Sequence, residues 1–382
     1  MGRLAALRIS VFYAAFFLTT GIQLPFWPVW LAGRGLGAGE IGALLAMSQW
    51  IKVAANPLLG VFADRVRDRH RFMVLLGAVT VGGYLLCVPA RGFAALILPT
   101  LIVAAASTAM LPLADATALA AASDHRFQYG RVRLWGTIAF IVATVLGGRA
   151  LMGRSSETVL YLLLGAMSLA AASCALLPRT ASPARVTPRP SWRALLTRPN
   201  VTVLVAAMLI QSSHAVYYGF GTLYWQRLGF SDATIAWLWA EGAIVEVLLF
   251  LGGGRWVERW GAATFLALGG AGGVMRWMLT AYVTTVPAFI AIQPLHALTF
   301  AAAHLGAMHH IGATVPREQA GTAQSFYAAM VSGLGLGLAS LAAGWLYAAW
   351  GGNAYIAMAV MAGLGGLLAA RLPVGSRHLQ RR

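Results

Sequence analysis

The sequence of 382 residues is 59% apolar and only 10% charged, whereas charged residues make up about 25% of an ordinary soluble domain. This composition excludes a soluble globular domain, a disordered chain, a collagen and a coiled coil, and two cysteines cannot form a disulfide framework. The net charge of +17 does not indicate nucleic-acid binding, because the arginines are scattered between apolar runs. A helical protein that crosses the membrane several times remains.

Apolar runs long enough to cross a bilayer, about 20 residues each, recur along the whole chain. Six predicted spans precede a polar, arginine-rich stretch and six follow it, at 9–31, 40–62, 71–89, 93–122, 131–152 and 157–177 and then at 200–226, 232–254, 263–283, 287–312, 321–346 and 354–371. The sequence therefore predicts an all-α integral membrane protein of twelve transmembrane helices. We expect an N-terminal six-helix bundle over 1–177, a linker over 178–199 and a C-terminal six-helix bundle over 200–382.

The distribution of arginines between the connections predicts the orientation of the spans. Most of the arginines lie in the linker, in both tails and in the connections on the same side of the membrane as the linker. Five lie in connections on the opposite side: Arg34, Arg91, Arg149, Arg154 and Arg227. Since basic residues concentrate in cytoplasmic loops, we expect both termini and the linker to be cytoplasmic. The first span lacks a small-residue cleavage site, so we expect a retained helix rather than a signal peptide.

A loop motif occurs at equivalent places in the two halves. One copy follows span 2 and the other follows span 8, 194 residues later: Gly60-x-x-x-Asp64-Arg65 and Gly254-x-x-x-Glu258-Arg259. Internal repeats of this kind are typical of secondary transporters. Each copy places an acid beside an arginine at the predicted cytoplasmic end of a span, and we expect these residues to control conformational exchange rather than substrate binding.

The layout and both loop motifs resemble the major facilitator superfamily over essentially the whole chain. Several longer strings resemble its phenylpropionate permease family: Leu24-Pro25-Phe26-Trp27 in span 1, Tyr129-Gly130-Arg131-Val132-Arg133 before span 5, His214-Ala215-x-Tyr217-Tyr218 in span 7 and Arg276-Trp277 in span 9. The resemblance implies the major facilitator fold of two pseudo-symmetric six-helix bundles and transport by alternating access. It also implies an aromatic carboxylate as the substrate.

Ionisable side chains inside the predicted spans are the candidates for function, since one charge at mid-bilayer costs about 2.5–3.5 kcal/mol on insertion scales. Seven residues fall in such positions: Lys52, Asp115, Arg133, Glu241, Glu246, Arg276 and His296. The alternative is that these residues form structural pairs that only set helix packing. A metal site is not expected, because three or four ligands would have to converge and no thiolate lies near the histidines of span 10.

Counting residues from the predicted turns places several of these groups at equal depth, because both arms of a helical hairpin rise by about 1.5 Å per residue. Asp115 and Arg133 are each nine residues from a turn near position 124, which allows them to pair. Glu246 and Arg276 are each 15 residues from the turn near position 261, and Arg276 and His296 are each ten from a turn near position 286. Spans 8, 9 and 10 are thus expected to bring a carboxylate, a guanidinium and an imidazole to one level.

Lys52 is the single lysine of the chain and lies inside span 2. Gln49, Lys52 and Asn56 are spaced i, i+3, i+7, so all three lie on one helix face, which is too polar for lipid. Lys52 precedes Glu246 by 194 residues, the offset of the loop motif, so a cation in one half stands at the position of an anion in the other. We expect these three residues to line the substrate cavity, since both ends of the span are too distant for Lys52 to snorkel.

The order of ionisable residues in spans 4, 5, 8, 9 and 10 resembles the lactose permease type of proton symporter. The resemblance implies that Asp115 and Arg133 bind substrate and that Arg276 and His296 belong to the proton-coupling machinery. One position departs from that type, because Thr299 stands three residues after His296, where that permease has its proton-carrying glutamate. The coupled proton must then be carried by another residue.

Glu246 is the first candidate for the proton carrier, because it shares its level with His296, and Asp115 is the second. Glu241 points to a different side of span 8 and is either another titrating site or a packing partner. His304 lies eight residues after His296 on the same face, and we include it in the proton-coupling set.

Three further residues are candidates for substrate contact, namely Phe26, His214 and Tyr218. His214 precedes Tyr218 on a stretch of span 7 that we expect to face the cavity. Phe26 and Tyr218 lie deep in their spans, where an aromatic substrate could stack on them.

We therefore expect a secondary active transporter that imports a small organic solute with protons, uses the proton gradient as its energy source and needs no cofactor. Sugar or nucleoside symport and the export of amphiphilic compounds remain open as alternatives to an aromatic carboxylate. An enzyme is not expected, because neither HExxH nor GxSxG occurs. We further expect a monomer in the bacterial inner membrane, with substrate, protons and lipid as partners and no nucleic acid.

Overall fold

The computed structural model describes residues 2–66, 68–125, 127–178 and 196–372, without the side chains of Asp64, Asp124, His125 and Arg317. Most of the predicted linker, including its arginines at positions 179, 185, 189 and 193, lies outside the described residues, as does the tail 373–382. Within the described ranges, all regular secondary structure is helical. The prediction of an all-α membrane protein is confirmed.

The helices before the linker are α1 Gly2–Gly33, α2 Ala38–Arg65, α3 Arg69–Cys87, α4 Gly92–Thr108, α5 Met110–His125, α6 Tyr129–Leu151 and α7 Glu157–Cys174. Predicted span 4 is divided at Ala109 into α4 and α5. The long helix α1 packs against α6 and α7, and α3 packs against α4 and α7. The N-terminal helices therefore form a bundle around the apolar faces of α1 and α3.

The helices after the linker are α8 Arg198–Ser212, α9 Ala215–Arg227, α10 Asp232–Tyr282, α11 Val286–Ile292, α12 Ala303–Thr314, α13 Ala320–Ala328, α14 Leu336–Trp350 and α15 Ala354–Ala370. Two π-helical segments, Ala297–Ala302 and Ala329–Gly335, precede α12 and α14. Helix α10 is broken at Gly261, whose φ of 83° lies in the left-handed region that glycine adopts without steric cost.

Nine helical stretches of the described residues are long and apolar enough to cross a membrane. Two of them, Asp232–Tyr282 and Ala320–Ala370, hold 51 residues each, so each would be about 75 Å long at 1.5 Å per residue, over twice the roughly 30 Å of a bilayer core. Each contains a glycine of positive φ, Gly261 or Gly351, where the helix breaks. Helix α2 is not among the nine, because its polar face lowers its hydropathy. These bounds accommodate the twelve predicted spans, and that count stays a prediction.

The chain divides into two compact units. Unit 1 consists of Met1–Arg185 with Trp225–Trp237, and unit 2 consists of Val186–Tyr224 with Leu238–Arg382. The grouping differs from the predicted bundles in one respect, since the end of α9 and the start of α10 belong to unit 1. Inside unit 2, α8 packs against α15 and α12, and a Cβ atom added at Gly270 would meet the backbone of Gly366. These two glycines thus let α10 and α15 approach each other closely.

A buried arginine joins three elements of unit 1. Arg34, which the sequence pattern assigns to a connection, has a side chain only 2% exposed. Its Nη1 atom donates to the carbonyl oxygens of Val88 and Ala90, both at 2.9 Å, and its Nη2 atom pairs with Glu157 Oε2 at 2.5 Å. Trp30 Nε1 donates to the same carboxylate oxygen at 3.3 Å. The end of α1, the turn after α3 and the start of α7 are therefore held by one guanidinium.

Candidate functional site

Asp115 lies at the centre of a polar cluster in unit 1. Its Oδ1 atom accepts a hydrogen bond from Tyr13 at 2.5 Å and another from Tyr129 at 2.9 Å, and Arg133 Nε lies 4.0 Å from the same oxygen. The predicted proximity of Asp115 and Arg133 is confirmed. Because hydrogen bonds to a carboxylate are usually shorter than 3 Å, the two tyrosines hold Asp115 more firmly than the arginine does.

The guanidinium of Arg133 lies beside aromatic rings. Its Cζ atom is 4.2 Å from the ring centroid of Phe17 and 5.2 Å from that of Tyr13. The side chains of Arg133 and Asp115 are 28% and 32% exposed, so the cluster is partly accessible. A guanidinium in this setting presents a planar pair of donors together with aromatic faces, which suits an aromatic carboxylate.

Lys52 lies in the middle of α2, also in unit 1. Its Nζ atom donates to Gln49 Oε1 at 3.2 Å, and among the described residues this is its one hydrogen bond. Asn56, on the same face, is exposed, whereas Gln49 and Lys52 are half-buried. The three residues share a face as predicted, and their role in binding stays a prediction.

Arg276 is an almost fully buried arginine of unit 2, with a relative exposure of 1%. Its Nη2 atom donates to Gln293 Oε1 at 2.9 Å, while Nη1 donates to His296 Nδ1 at 2.8 Å and to Thr299 Oγ1 at 3.3 Å. The rings of Tyr217 and Trp277 flank the guanidinium at 4.6 Å and 4.5 Å. Within the described part of the chain, no carboxylate pairs directly with this arginine.

His296 connects Arg276 to Glu246. Its Nε2 atom lies 3.3 Å from Glu246 Oε2, and its Nδ1 atom accepts from Arg276. Because a guanidinium can only donate, the proton of this neutral imidazole must reside on Nε2, where it faces the glutamate. The three side chains therefore meet at one level, as the residue count from the turns predicts.

A second branch of this network runs through Thr299 to His214. His214 is fully buried, its Nε2 atom lies 3.0 Å from Thr299 Oγ1, and its Nδ1 atom lies 3.0 Å from the carbonyl oxygen of Gln211. Since a carbonyl only accepts, Nδ1 carries the proton and Nε2 accepts from the threonine hydroxyl. His214 is thus linked to Arg276 through Thr299, and its contact with a substrate stays a prediction.

The remaining predicted contact residues differ in accessibility. Phe26 is fully buried and packs against α6 near Gly147, and its stacking on a substrate stays a prediction. Tyr218 is half-buried and stacks on His214 with ring centroids 5.3 Å apart. It remains a candidate for contact with an aromatic ligand.

Glu241 and His304 differ from the rest of the set in having few polar contacts. The Oε2 atom of Glu241 is buried and has no hydrogen-bond partner among the described residues. His304 is half-buried, and the structure gives it ring contacts to Phe250, Phe300 and Tyr327. Neither side chain is satisfied in the way that a purely structural polar residue usually is.

The repeated loop motifs lie at helix ends. Gly60 and Arg65 belong to the last turns of α2, and the Asp64 side chain lies outside the described part of the structure. The second copy, Gly254 with Glu258 and Arg259, lies in the part of α10 that precedes the break at Gly261, and these three residues are exposed. Their role in conformational exchange stays a prediction.

The family assignment follows from comparison with known proteins. The family model described as MFS_1 like family matches residues 6–357. The chain belongs to this family of the major facilitator superfamily. This major facilitator protein is 31% identical over 363 residues to a probable 3-phenylpropionic acid transporter of Escherichia coli (strain K12), covering 93% of this chain and 94% of that one. It is 26% identical to the maltose permease of Geobacillus stearothermophilus, with 91% and 89% covered.

The fold of this transporter is also found in solved structures. A crystal structure of a mutant of the nucleoside transporter NupG superposes with a TM-score of 0.85 at 17% sequence identity, covering 96% of this chain and 98% of that one. A likeness at this identity shows the shared fold. Together with the relatives, it identifies the chain as a membrane transporter and not an enzyme.

The sequence pattern does not identify several residues of the site. Tyr13, Phe17 and Tyr129 surround Asp115 and Arg133, and Gln293 binds Arg276. Gln293 could have been predicted from the sequence, since a polar amide inside an apolar span requires a hydrogen-bond partner. The aromatic residues gave no such signal, because phenylalanine is ordinary inside an apolar span and tyrosine is ordinary near its ends.

Proposed function

We propose that this transporter imports a small organic anion, such as an aromatic carboxylate resembling 3-phenylpropionate, together with protons and by alternating access. The observation that carries the proposal is Arg133, whose guanidinium lies beside the rings of Phe17 and Tyr13 and is as far as 4.0 Å from the Asp115 carboxylate. A bidentate donor beside aromatic faces suits a carboxylate attached to a ring. The relative described as a probable 3-phenylpropionic acid transporter supports this substrate class.

Glu246 supports the coupling to protons. Its carboxylate contacts the imidazole of His296, which in turn accepts from Arg276, and the three lie in one partly buried network. A carboxylate inside the membrane is costly while charged and costs less when it binds a proton. We propose that this protonation accompanies each transport cycle, with the proton gradient as the energy source and no cofactor.

Proteoliposomes test both parts of the proposal. We expect labelled 3-phenylpropionate to accumulate above its equilibrium level when an inward proton gradient is imposed, and a protonophore to abolish the accumulation. The uncharged amide, 3-phenylpropionamide, should compete poorly. Uptake that ignores the gradient would refute proton coupling, and failure of all aromatic acids in a panel would refute the substrate class.

A sugar or a nucleoside is the second candidate substrate. The maltose permease relative favours a sugar, and the partly exposed carboxylate of Asp115 already accepts from two hydroxyl groups, as it would from a sugar. Export of amphiphilic compounds is the third alternative. Competition by maltose and uridine in the same assay, and transport with the gradient reversed, separate these functions.

We also propose a monomer in the bacterial inner membrane with both termini cytoplasmic, as the distribution of arginines between the connections indicates. Reporter fusions to the two ends test the orientation. Activity of a reporter that requires the periplasm at either terminus would contradict it.

A further inference from the structure

Glu246 interacts with two histidines of the segment 296–304. His296 Nε2 contacts its Oε2 atom at 3.3 Å, and His304 interacts with the same carboxylate electrostatically. His296 is buried, whereas His304 is half-buried. The carboxylate therefore has one neighbour that faces the interior of unit 2 and one that is more accessible.

The route through His296 is closed to a proton. Its Nδ1 atom accepts from Arg276 at 2.8 Å, and a guanidinium stays protonated. A second proton would bind to Nδ1 of His296, which would then point an N–H group at the N–H group of Arg276. It would also place a positive imidazolium beside the positive guanidinium. Beyond it, Gln293 and Thr299 occupy further donors of Arg276. A proton on Glu246 consequently has no exit in this direction.

The route through His304 has no such block. Its ring nitrogens make no hydrogen bond within the described part of the chain, and its surroundings are the rings of Phe250, Phe300 and Tyr327. Among the described residues, the other ionisable groups that interact with this carboxylate are His296 and, from α9, Tyr218, which interacts with Glu246 electrostatically. A neutral imidazole in this position can accept a proton and release one.

The π-helical segment Ala297–Ala302 aligns the two histidines. An α-helix drifts by about 80° over eight residues, which would turn His304 away from His296. A π-helical turn contains more residues and removes this drift. As a result, the rings of His296, Phe300 and His304 stack in one column, with interplanar angles of 16° and 8° between successive rings.

We propose that His304 transfers the coupled proton between Glu246 and the aqueous phase on the side of the membrane where α12 ends, which is His304's specific role within the proposed proton coupling. A ring nitrogen of His304 takes the proton from the protonated carboxyl group, which becomes a carboxylate. The opposite ring nitrogen releases a proton to water, and the ring returns to its neutral form. The reverse sequence loads Glu246.

Chemical rescue tests the proposal. Proteoliposomes containing a pH-sensitive dye report proton entry driven by 3-phenylpropionate, and exchange of labelled for unlabelled substrate reports transport that needs no net proton transfer. We expect His304→Ala to slow proton entry about tenfold or more, as for the loss of a proton-transferring group, with exchange retained. Added imidazole should restore proton entry. His309→Ala, on the same helix, serves as the matched control and should behave as the wild type.

Three outcomes would overturn the inference. Wild-type rates of proton entry in His304→Ala refute it while leaving proton coupling intact. Loss of both proton entry and exchange, without rescue by imidazole, assigns His304 a structural role. If the wild-type protein exchanges 3-phenylpropionate but moves no protons with it, the proposed coupling itself is wrong.

Discussion

Tyr13 donates a hydrogen bond of 2.5 Å to Asp115, across the interface of α1 and α5. Because Tyr129 donates to the same oxygen, Asp115 is oriented by two neutral donors and its charge is only loosely compensated by Arg133. This arrangement leaves the guanidinium available for an anion. The tyrosines, rather than the ion pair, thus set the geometry of the proposed binding site.

Tyr13→Phe should therefore weaken substrate binding. Without this donor, Asp115 can swing towards Arg133 and neutralise it. A hydrogen bond to a charged group contributes about 1.5–3 kcal/mol, so we expect the apparent KM for 3-phenylpropionate to rise about tenfold or more in uptake assays. Tyr161→Phe, at an exposed position of α7, is the control. An unchanged KM would assign Tyr13 to packing.

Lys52→Gln tests whether a second cation of unit 1 recognises the substrate charge. We expect weaker binding of a carboxylate but not of its amide, because only the acid interacts with the ammonium group. Lys52→Arg keeps the charge and changes the geometry, so it should retain part of the affinity. Equal losses for acid and amide in competition assays would show that Lys52 supports the structure of α2.

Glu246→Gln should separate coupling from binding. The amide imitates the protonated carboxyl group, so exchange of substrate should continue while accumulation against a gradient is lost. Asp115→Asn should instead damage binding, since it removes the acceptor of both tyrosines and the partner of Arg133. If the two variants show the opposite pattern, the proton is carried by Asp115. Glu241→Gln in the same assays determines whether its unpartnered carboxylate titrates as well.

Glu157→Gln should destabilise unit 1. It removes the charged partner of the buried Arg34, and breaking a buried ion pair costs about 3–5 kcal/mol. We expect a clearly lower thermal unfolding temperature in detergent. Arg91→Gln, which removes the exposed partner of the same carboxylate, should cost about 1 kcal/mol or less. Similar effects of the two changes would indicate that Arg34 keeps its contacts to the carbonyl groups without Glu157.

Residue counting from turns predicted which ionisable groups meet. It placed Asp115 level with Arg133, and Arg276 level with Glu246 and His296, because the rise per residue is the same in every helix. Depth is therefore readable from sequence. Rotation about the helix axis is not, and the contacts of Tyr13 with Asp115 and of Gln293 with Arg276 depend on rotation.

Besides helix rotation, the sequence pattern does not indicate that the charged side chain of Arg34 is buried. Arg34 stands in a connection between apolar runs and contributes to the pattern that predicts membrane orientation. Its side chain is nevertheless enclosed by Trp30, Glu157 and two carbonyl groups. Nothing in the local sequence distinguishes it from Arg91, because its partners come from segments distant along the chain.

The π-helical segment Ala297–Ala302 makes the length of this helix matter independently of its composition. Deleting one alanine from it, Ala301 for example, would preserve every polar residue of the network. The segment would then shorten to α-helix with His296 and His304 seven residues apart, and seven residues complete nearly two α-helical turns, so the two rings would stay within about 20° of alignment. We therefore expect a one-residue deletion here to keep the histidines in phase and a one-residue insertion to turn His304 by about 100°, so a series of both changes would map where helical phase, rather than side-chain chemistry, determines transport.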